Sequence, residues 1–289
     1  MKTYSNLLLG LAVSLPAWAD GSQASELQLI DSYKIRDKSA GFSEPSGLSP
    51  SSVQNYYWAV SDAEARLHLL ESDGRIKNAF ELPELNGTDL EGVAARPDGS
   101  VLLIQERDRS LIHLETGDPP ELSVFQLRHM NGYEALAPLL SNNPKNKGPE
   151  GITVNPATGT VYVAVEGRPR LLITISPDLG SILSVTSLTA EMGFYSPHAN
   201  DENLDVSGLA WSKSSGRLWM LSDTGRRIFV FDPVNETVKP IDLRYSKKGK
   251  SATLKRAEGI AIDEGEGHLL VLTDDSKKSK LYVFLMPEI

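Results

Sequence analysis

Short apolar runs recur along this chain, and each of them begins at a glycine in the same four-residue motif. The glycines lie 45 to 59 residues apart, and an acidic residue follows each of them after 14 or 15 positions. A period of this length, with β-branched runs between turn residues, is typical of a β-propeller in which each repeat forms one blade. The five motifs are Pro45-Ser46-Gly47-Leu48, Leu90-Glu91-Gly92-Val93, Pro149-Glu150-Gly151-Ile152, Val206-Ser207-Gly208-Leu209 and Ala257-Glu258-Gly259-Ile260.

Each unit has room for four strands separated by turn residues. The second unit predicts strands at 92–95, 101–105, 111–115 and 122–127. Pro97-Asp98-Gly99 supplies residues that tolerate a tight reversal between the first two strands. Because no segment keeps a helical period over three turns, the pattern predicts an all-β protein.

The two ends of the chain are predicted to share one blade. After the apolar strand at 281–285 the chain stops, so the fifth unit lacks its outer strand. The segment 27–33 has the alternation of a strand and belongs to no other unit. Pairing the two would close a ring of five four-stranded blades and remove an open edge. Six blades remain an alternative if the stretch between Glu115 and Gly148 hides a degenerate unit.

The first nineteen residues have the layout of a secretory signal peptide. Lys2 supplies a positive start, an apolar run spans 7–15, and Ala17-Trp18-Ala19 is a small-x-small cleavage site. The run is short for a membrane span. We therefore predict a signal peptide at 1–19, a single propeller domain at 20–289 and no transmembrane segment in the mature chain.

Composition narrows the classes of partner. The chain contains no cysteine, so an exported form needs a core that is stable without disulfides. Cleavage removes only Lys2 from the charged side chains, so the net charge changes from −9 to −10. An acidic surface argues against nucleic acid and anionic lipid and favours divalent cations.

The repeat predicts where acidic side chains meet. The first strand of each blade lines the channel and the second returns antiparallel, so the start of one and the end of the other lie at the same mouth. The residues before the five glycines are Ser46, Glu91, Glu150, Ser207 and Glu258. The acids that end the second strands are Asp62, Glu106, Glu166, Asp223 and Asp274. Glu44, Asp89 and Asp205 lie three positions before the glycines.

Crowded carboxylates raise one another's pKa and need compensation. A Ca²⁺ ion, which takes six to eight oxygen ligands, is one compensator. The other is a set of basic residues after the second strands, which could pair with the acids: Arg66, Arg107, Arg109, Arg168, Arg170, Arg226, Arg227 and Lys277.

The second acidic set recurs in every blade, which favours an architectural role. The first set alternates Glu with Ser, so it is the better candidate metal set, although structural pairing is an equal alternative. The predicted ligands are Glu91, Glu150 and Glu258, with Glu44, Asp89 and Asp205.

Other chemistries lack their motifs. No two histidines have zinc-ligand spacing. Ser46 and Ser207 have no evident histidine base, and neither a nucleophile elbow nor a phosphate-binding glycine loop is present. The sequence therefore predicts no catalytic residues.

Three stretches resemble the signatures of the SdiA-regulated (YjiK/CarP-like) family of bacterial β-propellers. They are Asn146-Lys147-Gly148-Pro149-Glu150-Gly151-Ile152, Asp205-Val206-Ser207-Gly208-Leu209-Ala210-Trp211 and Ala257-Glu258-Gly259-Ile260-Ala261-Ile262-Asp263. The resemblance covers the mature chain. It implies an envelope protein, periplasmic or on the periplasmic side of the inner membrane, with a part in calcium homeostasis. The Glu-Gly motif alone also occurs in phytase-like esterase propellers.

Two functional hypotheses follow. The first is a non-catalytic envelope protein, expected to be a monomer, that binds Ca²⁺, a small ligand or a protein at the channel mouth. It would have a role in calcium homeostasis or signalling, and a peripheral association with the inner membrane. The second is a Ca²⁺-dependent phytase-like or esterase-like hydrolase whose loop arginines and Lys277 hold an anionic substrate. The lack of a complete catalytic set favours the first.

Overall fold

Five four-stranded antiparallel sheets form the protein. The computed structural model describes residues 26–35, 37–83, 85, 89–117, 120–141, 143–144 and 147–289, and the predicted signal peptide lies outside them. The first strand of each sheet packs beside the first strands of its two neighbours, which arranges the sheets as a five-bladed β-propeller. The prediction of five blades is confirmed, and the six-blade alternative is wrong.

The strands follow the chain in blade order. Blade one holds β2 (Pro45–Pro50), β3 (Tyr56–Ser61), β4 (Glu64–Glu71) and β5 (Ile76–Glu81), after β1 (Leu29–Lys34). Blade two holds β6 (Leu90–Ala95), β7 (Val101–Gln105), β8 (Ser110–Glu115) and β9 (Glu121–Gln126). Blade three holds β10 (Pro149–Val154), β11 (Val161–Val165), β12 (Leu171–Ile175) and β13 (Ile182–Ser187). Blade four holds β14 (Gly208–Ser212), β15 (Arg217–Ser222), β16 (Arg227–Asp232) and β17 (Thr237–Asp242). A separate hairpin of β18 (Arg244–Lys247) and β19 (Lys250–Thr253) follows, and then β20 (Ala257–Asp263), β21 (His268–Thr273) and β22 (Lys280–Leu285) of blade five.

The chain termini complete the fifth blade as predicted. β1 lies antiparallel to β22 as its outer strand, with Leu29 opposite Phe284 and Lys34 opposite Lys280. Leu27, just before β1, is 3% exposed and packs into the apolar cluster between blades four and five. The closing strand is therefore held by backbone pairing and by a buried anchor.

Replacing Leu27 with alanine tests this closure. We expect a loss of about 2 kcal/mol in the free energy of unfolding, because the substitution removes buried methyl groups and leaves a cavity. The matched control is Ile30→Ala on β1, whose side chain is 49% exposed and whose loss should cost less than about 0.5 kcal/mol. Urea denaturation measures both, and equal effects would contradict the proposed anchoring.

The stretch that could have hidden a sixth blade contains a short helix instead. A 3₁₀ helix (Leu127–His129) and α1 (Tyr133–Leu140) follow β9. Leu136 and Leu140 are one helical turn apart and buried against blade three, while Gly132 begins the helix at φ 83°. With two turns, α1 is too short to show the three-turn period on which the all-β expectation rested. Two further 3₁₀ helices span Ala190–Met192 and Ser276–Lys278.

The core lies between neighbouring blades. Ile104 of blade two and Val163 of blade three, for example, are fully buried in one cluster. Inner strands such as β7 and β11 are buried on both faces, because each sheet is sandwiched by two others, while the outer strand β13 is mostly exposed or half-buried. In the described part of the chain, no helix is long and apolar enough to cross a membrane.

Candidate functional site: an acidic axial mouth

The blade geometry brings the start of each first strand to the end of each second strand. In blade two, Leu90 at the start of β6 lies opposite Gln105 at the end of β7, and in blade three Pro149 lies opposite Val165. The acids that follow β7 and β11 therefore reach the same opening as the glutamates before the glycines. We call this opening the axial mouth.

Three glutamates of the mouth are extra residues in β-bulges. The register of the first two strands shifts between Leu90 and Gly92, between Pro149 and Gly151, and between Ala257 and Gly259. The residues that have no opposite partner on the second strand, because the register shifts at them, are Glu91, Glu150 and Glu258. A bulge redirects the side chain of its unpaired residue and is frequent beside functional sites, so the backbone turns these carboxylates toward the axis.

The five motif glycines bring the blades into contact below the mouth. A Cβ atom on Gly92 would lie 2.4 Å from the backbone oxygen of Glu150, and one on Gly259 would lie 3.0 Å from the backbone carbon of Gly47. The space left on the axis is about 10 Å³, which is room for about one water molecule. The channel is therefore closed at the glycines, and the mouth above them is a blind funnel.

Asp62, Asp89 and Glu91 form the first acidic cluster. One carboxylate oxygen from each lies within 4.8 Å of the others. Arg107 donates its backbone N–H to Asp89 at 2.7 Å, and its Nε lies 3.1 Å from the other carboxylate oxygen. Burial raises the pKa of Glu91 to about 8, and the charge of Asp62 adds to this shift. The hydroxyl of Ser46, 3.0 Å from Oε2 of Glu91, partly offsets it.

Glu106, Glu150 and Glu166 form the second acidic cluster, again with one oxygen from each within 4.8 Å of the others. Burial raises the pKa of Glu106 to about 7, against the hydrogen bond from the Gly148 N–H at 2.8 Å. Burial, followed by the charges of Glu166 and Glu91, raises the pKa of Glu150 well above its usual range. Lys147 pairs with Oε1 of Glu166, while Oε2 is buried and has no hydrogen-bond partner in the described structure.

Glu258 lies beside both clusters without completing either. Burial raises its pKa well above the usual range, followed by the charges of Asp223 and Glu91. Glu91 and Glu258 both raise the pKa of Glu150. The three glutamates predicted from the sequence therefore share one electrostatic environment, although their carboxylates keep a little solvent contact through the mouth.

Two other predicted ligands lie at the margin. Glu44 is exposed; its backbone oxygen accepts a hydrogen bond from Asp62, but its carboxylate belongs to neither cluster. Asp205 is 8% exposed and accepts hydrogen bonds from the Ser222 hydroxyl at 2.6 Å and the Thr224 N–H at 3.2 Å. Its carboxylate supports the loop after β15, and its charge raises the pKa of Glu258.

Most loop arginines pair away from the mouth, contrary to the expectation that they neutralise it. Arg66 pairs with Glu64 and Glu81, and Arg109 donates to the backbone oxygens of Leu140 and Asn143. Three more of these arginines form ion pairs, Arg168 with Glu202, Arg170 with Asp201 and Arg227 with Asp242. Arg226 and Lys277 form no ion pair with the described residues. Among the described basic residues, Arg107 and Lys147 form the ion pairs with the clusters. The arginines pair elsewhere because their long side chains follow the loops outward to nearby acids.

The second acidic set divides between two roles. Asp223 accepts from the backbone N–H groups of Arg256 and Ala257, and Asp274 accepts from Ser276 and Ser279, so both organise loops as the repeat suggested. Asp62, Glu106 and Glu166 instead complete the two clusters. The distance of these five acids from the glycines is visible in the sequence, but it is 14 or 15 positions in every blade and does not separate the two roles.

The clusters fit a hard cation. Two oxygens on opposite sides of a Ca²⁺ ion, each at about 2.4 Å, are about 4.8 Å apart, and the three oxygens of each cluster all lie within 4.8 Å of one another. The candidate ligands are all oxygens, and the buried Oε2 of Glu166 has no hydrogen-bond partner in the part of the chain that the structure describes. These features suit Ca²⁺ better than zinc, which prefers nitrogen and sulfur ligands.

A comparison with protein-family models identifies the family. The family model described as SdiA-regulated matches residues 30–274. The chain belongs to the SdiA-regulated family. The match runs from β1 to the end of the second strand of blade five, so it includes both acidic clusters and the resemblance expected from the sequence is confirmed.

Solved structures share the fold at low identity. Myxococcus xanthus glutaminyl cyclase is 16% identical, with a TM-score of 0.59 over 89% of this chain and 94% of its own. A chain of a nidogen/laminin complex is 14% identical, with a TM-score of 0.50 over 81% of this chain and 78% of its own. One of these proteins is an enzyme and the other is named for a protein complex, so the likeness shows the fold alone.

Proposed function

We propose that this SdiA-regulated propeller is a non-catalytic binding protein of the cell envelope that holds Ca²⁺ at its axial mouth. The observation that carries the proposal is the second acidic cluster, in which one carboxylate oxygen from each of Glu106, Glu150 and Glu166 lies within 4.8 Å of the others. Such a group of carboxylates is costly to ionise. A divalent cation removes that cost.

The second acidic cluster is the stronger candidate for the cation. The buried Oε2 of Glu166 in this cluster has no hydrogen-bond partner among the described residues. In the first cluster, Arg107 already contacts both oxygens of Asp89. Glu106, Glu150 and Glu166 would therefore supply the first ligands, and Glu91 and Glu258 would add to the negative potential that attracts the ion.

The resemblance to SdiA-regulated propellers supports the proposed setting. It implies a periplasmic protein, at the inner membrane, with a part in calcium homeostasis or signalling. A signal peptide at 1–19 would deliver the chain to that compartment. There a binding protein with carboxylate ligands and no covalent chemistry of its own would respond to changes in Ca²⁺ concentration.

Thermal or urea denaturation in EDTA and in millimolar Ca²⁺ tests the proposal. Ca²⁺ at 100 times its dissociation constant should raise the free energy of unfolding by about 2.7 kcal/mol. Glu150→Gln, which keeps the shape of the side chain but removes the charge, should abolish most of this increase. Glu121→Gln on the outer strand β9, which is exposed, is the matched control and should keep it. No stabilisation of the unaltered chain by Ca²⁺ would count decisively against the proposal.

A Ca²⁺-dependent hydrolase is the second candidate, since Arg107 and Lys147 lie beside the carboxylates and could contact an anionic substrate. Five of the other loop arginines have protein partners elsewhere, which weakens this candidate: Arg66, Arg109, Arg168, Arg170 and Arg227. Incubation with phytate and with simple phosphate and carboxyl esters separates the two hypotheses. Turnover that Glu150→Gln abolishes without unfolding the protein would favour the hydrolase.

A further inference from the structure

The hairpin outside the five blades concentrates positive charge in a chain of net charge −9. Residues 244–256 contain six lysines or arginines and no acidic residue, and all six basic side chains are exposed. They are Arg244, Lys247, Lys248, Lys250, Lys255 and Arg256. We call β18, β19 and their turn the basic hairpin.

The tip of the basic hairpin holds three lysines at a conformational cost. Lys247 lies directly opposite Lys250, and like charges in this position destabilise a strand pair. Lys248 and Gly249 form the two-residue turn at φ 54° and 72°, a turn in which Asn-Gly is strongly preferred. A lysine in the left-handed region costs stability. The tip is therefore arranged for charge rather than for stability.

The positive surface continues onto blade five. Lys34 ends β1 and Lys280 begins β22 beside it, and the charges of Lys247 and Lys34 add to burial in lowering the pKa of Lys280. No ion pair within the described chain neutralises these side chains. The acids that pair with the hairpin lie at its base, where Glu26 is 3.9 Å from Arg244 and Asp275 is 3.6 Å from Arg256.

The hairpin is held firmly against the propeller. Tyr245, 6% exposed, contacts the rings of Tyr282 and Phe284 at centroid distances of 5.7 and 5.8 Å. The N–H of Leu27 donates to the backbone oxygen of Arg244 at 2.7 Å. Leu27, near the start of the described chain, therefore lies directly beside this surface.

We propose that the basic hairpin, together with Lys34 and Lys280, docks the propeller onto the surface of an anionic phospholipid bilayer. Lysines are strongly hydrated point charges without the bidentate geometry of arginine, and they suit a diffuse anionic surface. Nucleic acid fits less well, because the aromatic side chain of the hairpin is buried and offers no face on which a base could stack. Juxtamembrane lysine clusters attract anionic leaflets in this way.

Co-sedimentation with vesicles in EDTA and low salt tests the docking. Vesicles of phosphatidylcholine with about a third phosphatidylglycerol should bind the chain, and pure phosphatidylcholine vesicles should not. Combined Lys247→Gln, Lys248→Gln and Lys250→Gln should lower the partition coefficient about a hundredfold, at about fivefold per lysine. Combined Lys77→Gln, Lys213→Gln and Lys239→Gln makes the same change in net charge at exposed positions elsewhere and should leave binding nearly unchanged.

A single substitution separates docking from folding. Lys248→Asn places a residue favoured by this turn at the tip, so it should keep or raise the melting temperature and still weaken binding about fivefold. Raised NaCl should also release the protein from the vesicles. The proposal is overturned if the triple hairpin variant binds as well as its control, if binding persists in high salt, or if the chain binds oligonucleotides but not anionic vesicles. EDTA throughout keeps this result independent of any Ca²⁺ site.

Discussion

Gly92→Ala is expected to lower the free energy of unfolding by more than about 4 kcal/mol and to leave little folded protein at physiological temperature. The added methyl carbon would lie 2.4 Å from the backbone oxygen of Glu150 and 2.7 Å from Cγ2 of Ile104. The oxygen belongs to the bulge at the start of β10, so it cannot move without shifting blade three. Overpacking in a core usually costs 1–3 kcal/mol, and a clash with fixed backbone at a closed ring should exceed that range.

Urea denaturation of matched variants measures the effect. Gly180→Ala is the control, because its new methyl group would lie 3.4 Å from its nearest neighbour, an ordinary contact, and its backbone conformation is accessible to alanine. We expect a change within about 0.5 kcal/mol there. A Gly92→Ala protein as stable as the control would show that the blades can separate on the axis, which would remove the basis for a closed funnel.

The same glycines explain why the fold could be predicted from the sequence. Blades that meet on an axis require a residue without a side chain at the same place in every repeat, so the requirement appears as a period. The strands expected in the second unit, 92–95 and 101–105 among them, agree with β6 and β7 to within two residues. The closing strand was also predictable, because the fifth unit supplies only three strands and the strand-like segment 27–33 belongs to no other unit.

The non-repeating elements were not predictable on that basis. α1 has only two turns, and two buried leucines do not make a period. The basic hairpin lacks an apolar alternation, since its charged side chains are exposed and Tyr245 is its one large apolar side chain. Such elements depend on contacts with residues distant in sequence, here Leu27, Tyr282 and Phe284.

The sequence predicts where the candidate site lies, but it does not predict which carboxylates form each cluster. The repeat alone shows that the residues before the glycines and the acids at the ends of the second strands lie at the same end of the axis. Which carboxylates lie within 4.8 Å of one another depends on the three bulges and on side-chain conformation. The partners of the loop arginines depend on acids such as Asp201 and Glu202, which lie in the long connection between blades three and four. No local motif marks those pairs.

Without Ca²⁺, the protein is expected to be more stable near pH 5.5 than near pH 8.5. The pKa of Glu91 is raised to about 8 and that of Glu106 to about 7, in both cases chiefly by burial. In the unfolded chain both groups return to about 4.5. Between these values the folded state holds protons that the unfolded state has released, so stability falls as pH rises through the window from about 4.5 to about 8.

The expected loss across this window is about 3 kcal/mol. Each unit of pKa shift corresponds to about 1.4 kcal/mol, but solvent contact through the mouth and counterions reduce the full amount. For a chain of this length the melting temperature should fall by roughly 5 to 10 °C. Thermal denaturation in EDTA at constant ionic strength measures the slope.

Removing charge from the funnel should flatten this dependence. Glu91→Gln and Glu150→Gln should each raise the stability at pH 8.5 and change it little at pH 5.5, because the replaced groups are already protonated there. Glu121→Gln, an exposed change on β9, should leave the slope unaltered. Saturating Ca²⁺ should reverse the slope of the unaltered chain, since the ion binds the ionised carboxylates and competes with their protons. A flat slope in EDTA, with no gain in stability at pH 8.5 in either glutamine variant, would contradict this expectation. It would show that ionising these carboxylates costs the folded protein little, and the electrostatic reason for a cation at the axial mouth would be lost.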